Sequence, residues 1–289
     1  MSIDLHVHSS FSDGSMTPTE LVELAKRKGL HALSITDHDN ILSVSEALCA
    51  GKQYGLTVFS GVELSLVYNG MDIHLLSYLF DQNNFELQTF LAEIQESRAT
   101  RNGLIIKSLL SLGVKITAEE ERCFLENRQL GRPHIAKLLV RKAVVKNMKE
   151  AFALYLTPGK PAYVPRKTVP IQRAIDVLHR AGGVTVLAHP FNMNRGDRDL
   201  FEVIGELGEL GVDGVEAYYP THSRKRRDQL LGCARENNLI CTGGSDYHGN
   251  FRAGTQLAGG KNVCVPEELL TTLYLRKERY SPVQDENKI

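Results

Sequence analysis

The feature that most constrains this chain is an alternation of short apolar runs with helix-forming stretches. Ile3–Val7, Ala32–Thr36, Thr57–Glu63, Val184–Ala188, Gly214–Ala217 and Ile240–Gly243 have strand length and strand composition. Such a rhythm predicts a parallel α/β sheet or barrel whose helices cover the strands. The first helix is well marked: Thr17 suits an N-cap, Pro18 the first turn, Glu20 a capping box and Gly29 the C-terminal stop. Tyr68-Asn69-Gly70 predicts a tight hairpin between Leu64–Val67 and Met71–Tyr78.

From about Phe85 to Thr157 the alternation stops. Helices are expected over Phe85–Leu112, Ala118–Glu126, Pro133–Lys142 and Lys146–Leu156, and Thr157-Pro158-Gly159-Lys160-Pro161 marks the exit. The strand–helix pattern resumes with a helix over Ile171–Ala181. The expected organisation is a first part at residues 1–84, an inserted helical domain at 85–165 and a second part at 166–289.

Lys+Arg and Asp+Glu balance at 34 each, which argues against broad affinity for nucleic acid or membrane surfaces. No apolar run reaches membrane-spanning length and no leader-like segment precedes Ile3, so a cytoplasmic location is expected. The five cysteines lack metal-type spacing and suit reduced thiols, with Cys233 and Cys241 expected to be buried. No partner domain or obligate protein partner is evident.

The chemical residues gather at or just after strand ends, where active sites form in α/β folds. His6 and His8 are two apart on a strand and share one face. His38 follows Ser34-Ile35-Thr36, Glu63 ends its run, His189 follows Val186-Leu187-Ala188, and Asp246 and His248 come just after Thr242–Ser245. Nitrogen and oxygen donors without thiolate suit Mn²⁺, Fe²⁺ or Zn²⁺.

In order along the chain stand His6-x-His8, Ser12-Asp13-Gly14, Thr36-Asp37-His38-Asp39, Gly61-Val62-Glu63, His74, Ala188-His189-Pro190 and Ser245-Asp246-Tyr247-His248. This series resembles the PHP (polymerase and histidinol phosphatase) superfamily of metal-dependent phosphoesterases. The resemblance implies a distorted (β/α)7 TIM-like barrel, the PHP fold, here with an inserted helical lid, and three divalent ions at its mouth. Carried over residue by residue, it implies a first ion held by His6, His8, Glu63 and Asp246. Glu63 would bridge to a second, completed by His74 and His189, and Asp13, His38 and His248 would hold the third. Mn²⁺ is the favoured ion, with Fe²⁺ or Zn²⁺ as alternatives. Catalysis would run through metal-activated hydroxide, with Glu63, His8, Asp246 and His248 as the central ligands.

Gly131-Arg132-Pro133-His134 opens a predicted helix inside the insertion, and an arginine and histidine at a helix N-terminus suit an anion. This spacing and the Tyr155–Pro161 run resemble the PHP subgroup that dephosphorylates nucleoside 3′,5′-bisphosphates. The implied activity is removal of the 3′-phosphate to give a 5′-mononucleotide, with Arg132 and His134 as substrate contacts. His222, by its place after the strand Gly214–Tyr219, is expected to reach the mouth and touch phosphate. A 5′-3′ exoribonuclease on short RNA is the alternative, and a histidinol-phosphate phosphatase ranks below both. An amidohydrolase would share the His-x-His strand but lack the Asp13 and Thr36–Asp39 motifs. Asp37 and Asp39 are expected either to orient imidazoles or to sit in solvated turns. Tyr247 is expected to face away from the metals, and His31 and His179 to be structural. Arg166, Lys167 and the run Arg224-Lys225-Arg226-Arg227 are expected to be solvated.

Overall fold

Ile3, Leu5 and Val7 alternate with Asp4, His6 and His8, and all of them are fully buried. One face of this first strand therefore feeds apolar cores, while the other turns polar groups into the interior. The computed structural model describes residues 2–127, 130–167, 169–252, 254–259 and 263–280.

The elements follow the sequence rhythm. They begin with β1 (Ser2–Val7), α1 (Pro18–Arg27), β2 (Ala32–Ile35), α2 (Val44–Tyr54), β3 (Thr57–Val58), β4 (Gly61–Tyr68) and β5 (Met71–Tyr78). A helical stretch follows: α3 (Phe85–Ser111), α4 (Ala118–Glu126), α5 (Arg132–Arg141) and α6 (Met148–Ala151), the last running into a π-helical turn at Phe152–Leu156. The remainder is α7 (Ile171–Arg180), β6 (Val184–Leu187), α8 (Leu200–Glu209), β7 (Gly214–Tyr218), α9 (Arg224–Glu236), β8 (Ile240–Gly243), β9 (Val265–Pro266) and α10 (Leu269–Lys277). These form two compact units: Met1–Gln88 with Val169–Ile289, and Thr89–Thr168. Among the described residues no helix is long and apolar enough to cross a membrane.

The larger unit holds two mixed sheets, ordered β3-β2-β1-β9 and β4-β5-β6-β7-β8. The strands do not close into the single barrel expected from the sequence. The expected strand over Thr57–Glu63 is in fact two strands. It breaks at Phe59-Ser60, so β3 pairs with β2 while β4 pairs antiparallel with β5. Glu63 therefore stands near the start of a strand rather than at its end.

The sheets meet at two seams. At one, isolated pairing of His38 with Glu63 is held by Asp39 N–H to Glu63 O (2.9 Å) and Glu63 N–H to Asp37 O (3.2 Å). At the other, Val7 pairs with Tyr247, with His8 N–H to Tyr247 O (2.9 Å) and Asp246 N–H to His6 O (2.8 Å). Each seam has a glycine where a side chain would collide. A Cβ on Gly61 would lie 2.2 Å from Ser34 Oγ, and one on Gly244 would lie 2.4 Å from His6 N.

Thr17 and Glu20 form the expected capping box of α1, which buries Leu21 and Val22 completely. Burying a side chain of that size contributes about 1.5–3 kcal/mol. Asn69 and Gly70 connect β4 to β5 with φ of 48° and 79°, the left-handed pair that a two-residue hairpin turn needs. The helical unit has its own core, including Ile105, Ile106, Leu109, Ile135, Leu139 and Leu156. Its last helix starts at Met148 rather than Lys146, capped by Asn147, whose side chain accepts from Glu150 N–H. All five cysteines are free; Cys233 is buried and Cys241 only partly so.

Candidate metal centre

Donor atoms of His6, His8, Asp13, His38, Glu63, His74, His189, Asp246 and His248 fall into four overlapping groups, the atoms of each group within 4.8 Å of one another. The groups are His8/Asp13/His38/His248, His6/Glu63/His189, His6/His8/Asp246 and His38/Glu63/His74. Every metal-ligand candidate of the sequence analysis is thus in one cluster, and that cluster lies along the two seams.

Glu63 is its hub. Oε1 lies 2.7 Å from His74 Nδ1 and 3.0 Å from His189 Nε2. Oε2 lies 3.1 Å from His38 Nδ1, 3.2 Å from His8 Nε2 and 3.4 Å from His6 Nε2. The two oxygens face different sets of nitrogens, which is the geometry a bridging carboxylate requires. His38 stands between neighbours, its Nε2 being 3.9 Å from Asp13 Oδ2. Asp13 Oδ1 lies 3.2 Å from His248 Nε2.

The donor set fits divalent cations. His248 Nδ1 lies 2.9 Å from the Asp246 carbonyl, which can only accept, so the neutral ring carries its proton there. Its Nε2 lone pair then faces a carboxylate oxygen, an arrangement that is repulsive unless a cation lies between. His6 Nε2 and His8 Nε2 are likewise 3.2 Å apart. Edges of this length match ligand–ligand distances of about 3.0–3.4 Å expected around an ion with bonds near 2.1 Å. Glu63 Oε2, His38 Nδ1 and His189 Nδ1 are buried without a hydrogen-bond partner of good geometry, a cost that metal ligation would remove.

Electrostatics say the same. Burial works against charge on His8, yet Asp246 and Glu63 push its pKa up to about 10. Burial also opposes charge on His6, and Glu216, Glu63 and Asp246 outweigh it to hold the pKa well above its ordinary value. Glu63 is desolvated too, but His74, His38 and His6 keep its carboxyl well below the usual range. The carboxylates around His6 and His8 demand positive charge, while burial holds the His38 pKa well below its ordinary value. Metal ions supply that charge by displacing protons.

Sequence reasoning missed three residues here. Glu216, fully buried on β7, has Oε1 2.9 Å from His6 Nδ1 and accepts from His189 N–H through Oε2 (2.7 Å). It fixes the His6 tautomer so that Nε2 faces the cluster. A carboxylate inside the apolar run Gly-Val-Glu-Ala was the available signal. Tyr219 and Arg252 both bond Asp246 Oδ2, and nothing in their local sequence marks them. Backbone strain gathers at the same place: His189 and Asp246 have φ of 28° and 51°.

Other expectations resolve differently. Asp37 accepts from Ser9 N–H (2.8 Å), Ser9 Oγ and Ser12 Oγ, and Asp39 accepts from Ser65 N–H (2.7 Å). Both hold loops in place. Tyr247 faces away, its hydroxyl 3.8 Å from Met16 Sδ. His31 pairs with Glu267 at 2.8 Å and His179 with Asp213 at 3.0 Å, as structural residues do. His222 Nδ1 lies 3.0 Å from the Ala217 carbonyl, and the ring contacts Tyr219 and Phe191 with centroids 5.2 Å from each. Arg132 and His134 lie in the helical unit on the first turn of α5. His134 Nδ1 accepts from Gly131 N–H (3.1 Å), so its neutral ring carries the proton on Nε2. Arg132 donates to Leu156 O (3.3 Å).

Residues 4–129 match the PHP domain. Over 92% of this chain and 96% of the relative, the sequence is 33% identical to a 5′-3′ exoribonuclease of Haemophilus influenzae. The chain belongs to the PHP family. A 3′,5′-nucleoside bisphosphate phosphatase of Chromobacterium violaceum is 31% identical over 93% of this chain and 92% of its own. A solved structure from Bifidobacterium adolescentis, described as a metal-dependent phosphoesterase, superposes with a TM-score of 0.84 at 31% identity, covering 95% and 96% of the two chains. As a PHP enzyme the protein is a hydrolytic phosphatase that uses divalent metal, and its open, mixed sheets are those of PHP-like phosphoesterases.

Glu216→Gln offers a first test of the centre. Glutamine has one acceptor oxygen where the carboxylate serves two donors, so metal affinity is expected to fall about 10–100-fold. Titration against a metal-binding dye measures this; unchanged affinity would show that Glu216 does not orient the ligands.

Proposed function

We propose that this PHP enzyme removes the 3′-phosphate of nucleoside 3′,5′-bisphosphates, releasing a 5′-mononucleotide and inorganic phosphate. The observation that carries the reading is the nine-residue donor cluster, in a chain alike over nearly its whole length to a bisphosphate phosphatase. In this reading the two sheets are the split form of a (β/α)7 barrel and residues 85–165 are a lid or substrate domain.

Three ions suit the cluster: one held by His6, His8, Glu63 and Asp246, a second by Glu63, His74 and His189, a third by Asp13, His38 and His248. Mn²⁺ is favoured, with Fe²⁺ or Zn²⁺ as alternatives. When bound, such ions act as Lewis acids on phosphoryl oxygens and activate water at neutral pH. The chain's own part is positional. Glu63 keeps two donor sets at fixed spacing, and Glu216 and the Asp246 carbonyl fix the imidazole tautomers. Arg132 and His134 bind the 5′-phosphate, which is not cleaved, at the N-terminus of α5. His222 is a further substrate contact. A cytoplasmic enzyme acting on a small nucleotide without an obligate partner fits this scheme.

The similarity to an exoribonuclease at equal coverage favours one second reading, 5′-3′ trimming of short RNA by the same chemistry. The deciding assay compares adenosine 3′,5′-bisphosphate with a 5′-phosphorylated RNA trimer at matched concentration. Faster phosphate release from the bisphosphate is expected; faster stepwise shortening of the trimer would replace the phosphatase reading.

Arg132→Ala tests the second phosphate site. Losing a charge-assisted contact is expected to cost about 1.5–3 kcal/mol. The loss in kcat/KM is therefore expected to be much larger for the bisphosphate than for a simple monophosphate ester. Equal losses would remove Arg132 from that role.

A further inference from the structure

The carboxylate of Asp246 is divided between two environments. Oδ1 lies 3.3 Å from His8 Nε2 and 3.6 Å from His6 Nε2, on the donor cluster. Oδ2 accepts from Tyr219 OH (2.7 Å) and from one terminal nitrogen of the Arg252 guanidinium. Tyr219 is itself fully committed. Its oxygen accepts from Arg252 NH2 (3.0 Å) and Asn192 Nδ2 (3.2 Å), so its single proton must go to Asp246.

Arg252 is thus braced at two points, one of them a carboxylate that belongs to the donor cluster. A guanidinium has five N–H groups, and two of them are used here. The side chain is still 40% exposed, so its remaining donors can be reached from solvent. The segment that presents it is also held, by Asn250 N–H to Ser15 Oγ (2.9 Å) and Thr255 Oγ1 to Arg252 O (2.9 Å). A permanently charged planar fork, fixed beside the donor cluster with N–H groups to spare, is matched to phosphate oxygens.

We propose that Arg252 is a catalytic residue that contacts the phosphoryl group undergoing hydrolysis, and that Tyr219 is the positioning residue that aims it. A fixed cation there favours the charge carried by phosphoryl oxygens in the transition state without rearranging when it develops. The proposal rests on phosphoester hydrolysis alone and not on which nucleotide is the substrate.

The test uses the metal-loaded enzyme with p-nitrophenyl phosphate as substrate and inorganic phosphate as competing ligand, together with elemental analysis and metal titration. Arg252→Ala is expected to lower kcat/KM about 100-fold and to weaken phosphate binding by at least about 10-fold, with metal affinity unchanged. Arg252→Lys, which keeps the charge and suits the same fold, is expected to recover part of the phosphate affinity. Tyr219→Phe, which leaves the guanidinium less constrained, is expected to show a smaller loss in the same direction. Phosphate affinity unchanged in both Arg252 variants would overturn the proposal. So would metal affinity falling in step with activity, since Arg252 would then only orient Asp246. A wild-type enzyme that ignores bisphosphates would refute the substrate reading and leave this result intact.

Discussion

Glu63→Gln is expected to lower phosphoester turnover about 1,000-fold, equivalent to about 4 kcal/mol in the barrier. Both Glu63 oxygens face imidazole nitrogens, Oε1 at 2.7 and 3.0 Å and Oε2 at 3.1–3.4 Å. Glutamine removes the negative charge and replaces one oxygen by an NH₂ group, which cannot ligate. Glu63 is itself only 1% exposed, so the variant leaves one donor set without its shared oxygen. Steady-state kinetics with elemental analysis of the purified variant would measure the effect. A Glu63→Gln enzyme with wild-type metal content and near-normal turnover would show that Glu63 does not join two sets of ligands. Prolonged chelation of the wild type is expected to give a loss of similar size, reversed by restoring metal.

The second large effect lies at the opposite end of the strands and concerns stability. Asp213 precedes β7 and is 2% exposed. Oδ2 lies 3.0 Å from His179 Nε2 and accepts from Thr185 N–H at 3.0 Å; Oδ1 accepts from Tyr280 OH (2.7 Å) and Arg276 (3.4 Å). Asp213→Ala removes the counter-charge of buried Arg276, which keeps only carbonyl acceptors, and strands the Thr185 N–H and Tyr280 OH donors, at an expected cost of about 3–5 kcal/mol. In thermal unfolding that is roughly 5–15 °C. The milder Tyr280→Phe is expected to lose about 1 kcal/mol. Burial raises the Asp213 carboxyl pKa, but the bonds from His179, Thr185 and Tyr280 prevail and hold it below 3.8. A depressed carboxylate stabilises fully above its unfolded pKa and progressively less as pH falls through the folded one. The gap between wild type and Asp213→Ala is therefore expected to close below pH about 4. A gap independent of pH down to 2 would remove charge from the account.

How much of this was legible in the sequence depends on how local each signal was. His6 and His8 could be read because strand periodicity alone puts them on one face. The helix over Pro18–Arg27 and the hairpin at Asn69-Gly70 announced themselves through caps and turn residues. Glu63 was legible as a candidate donor but misplaced within its strand, because the break at Phe59-Ser60 serves a tertiary need. Gly61 must pass against Ser34 and Ile35 where the sheets meet. Glu216 and Tyr219 act through contacts with residues far off in sequence, and Arg252 reaches Asp246 from an irregular segment six residues on, so no spacing rule reaches them.

The two seams have a thermodynamic consequence. Strands that face each other there come from distant parts of the chain, and each seam is closed by a few backbone hydrogen bonds beside donor-cluster residues on both sides: His38 and Glu63 at one, His8 and Asp246 at the other. An ion that binds across them recognises only the folded chain, so it acts as a ligand linked to folding. At a thousandfold excess over its dissociation constant one such ion adds about 4 kcal/mol, comparable with a large share of the net stability of an ordinary domain. The melting temperature of this protein is then a function of free metal concentration as much as of its sequence.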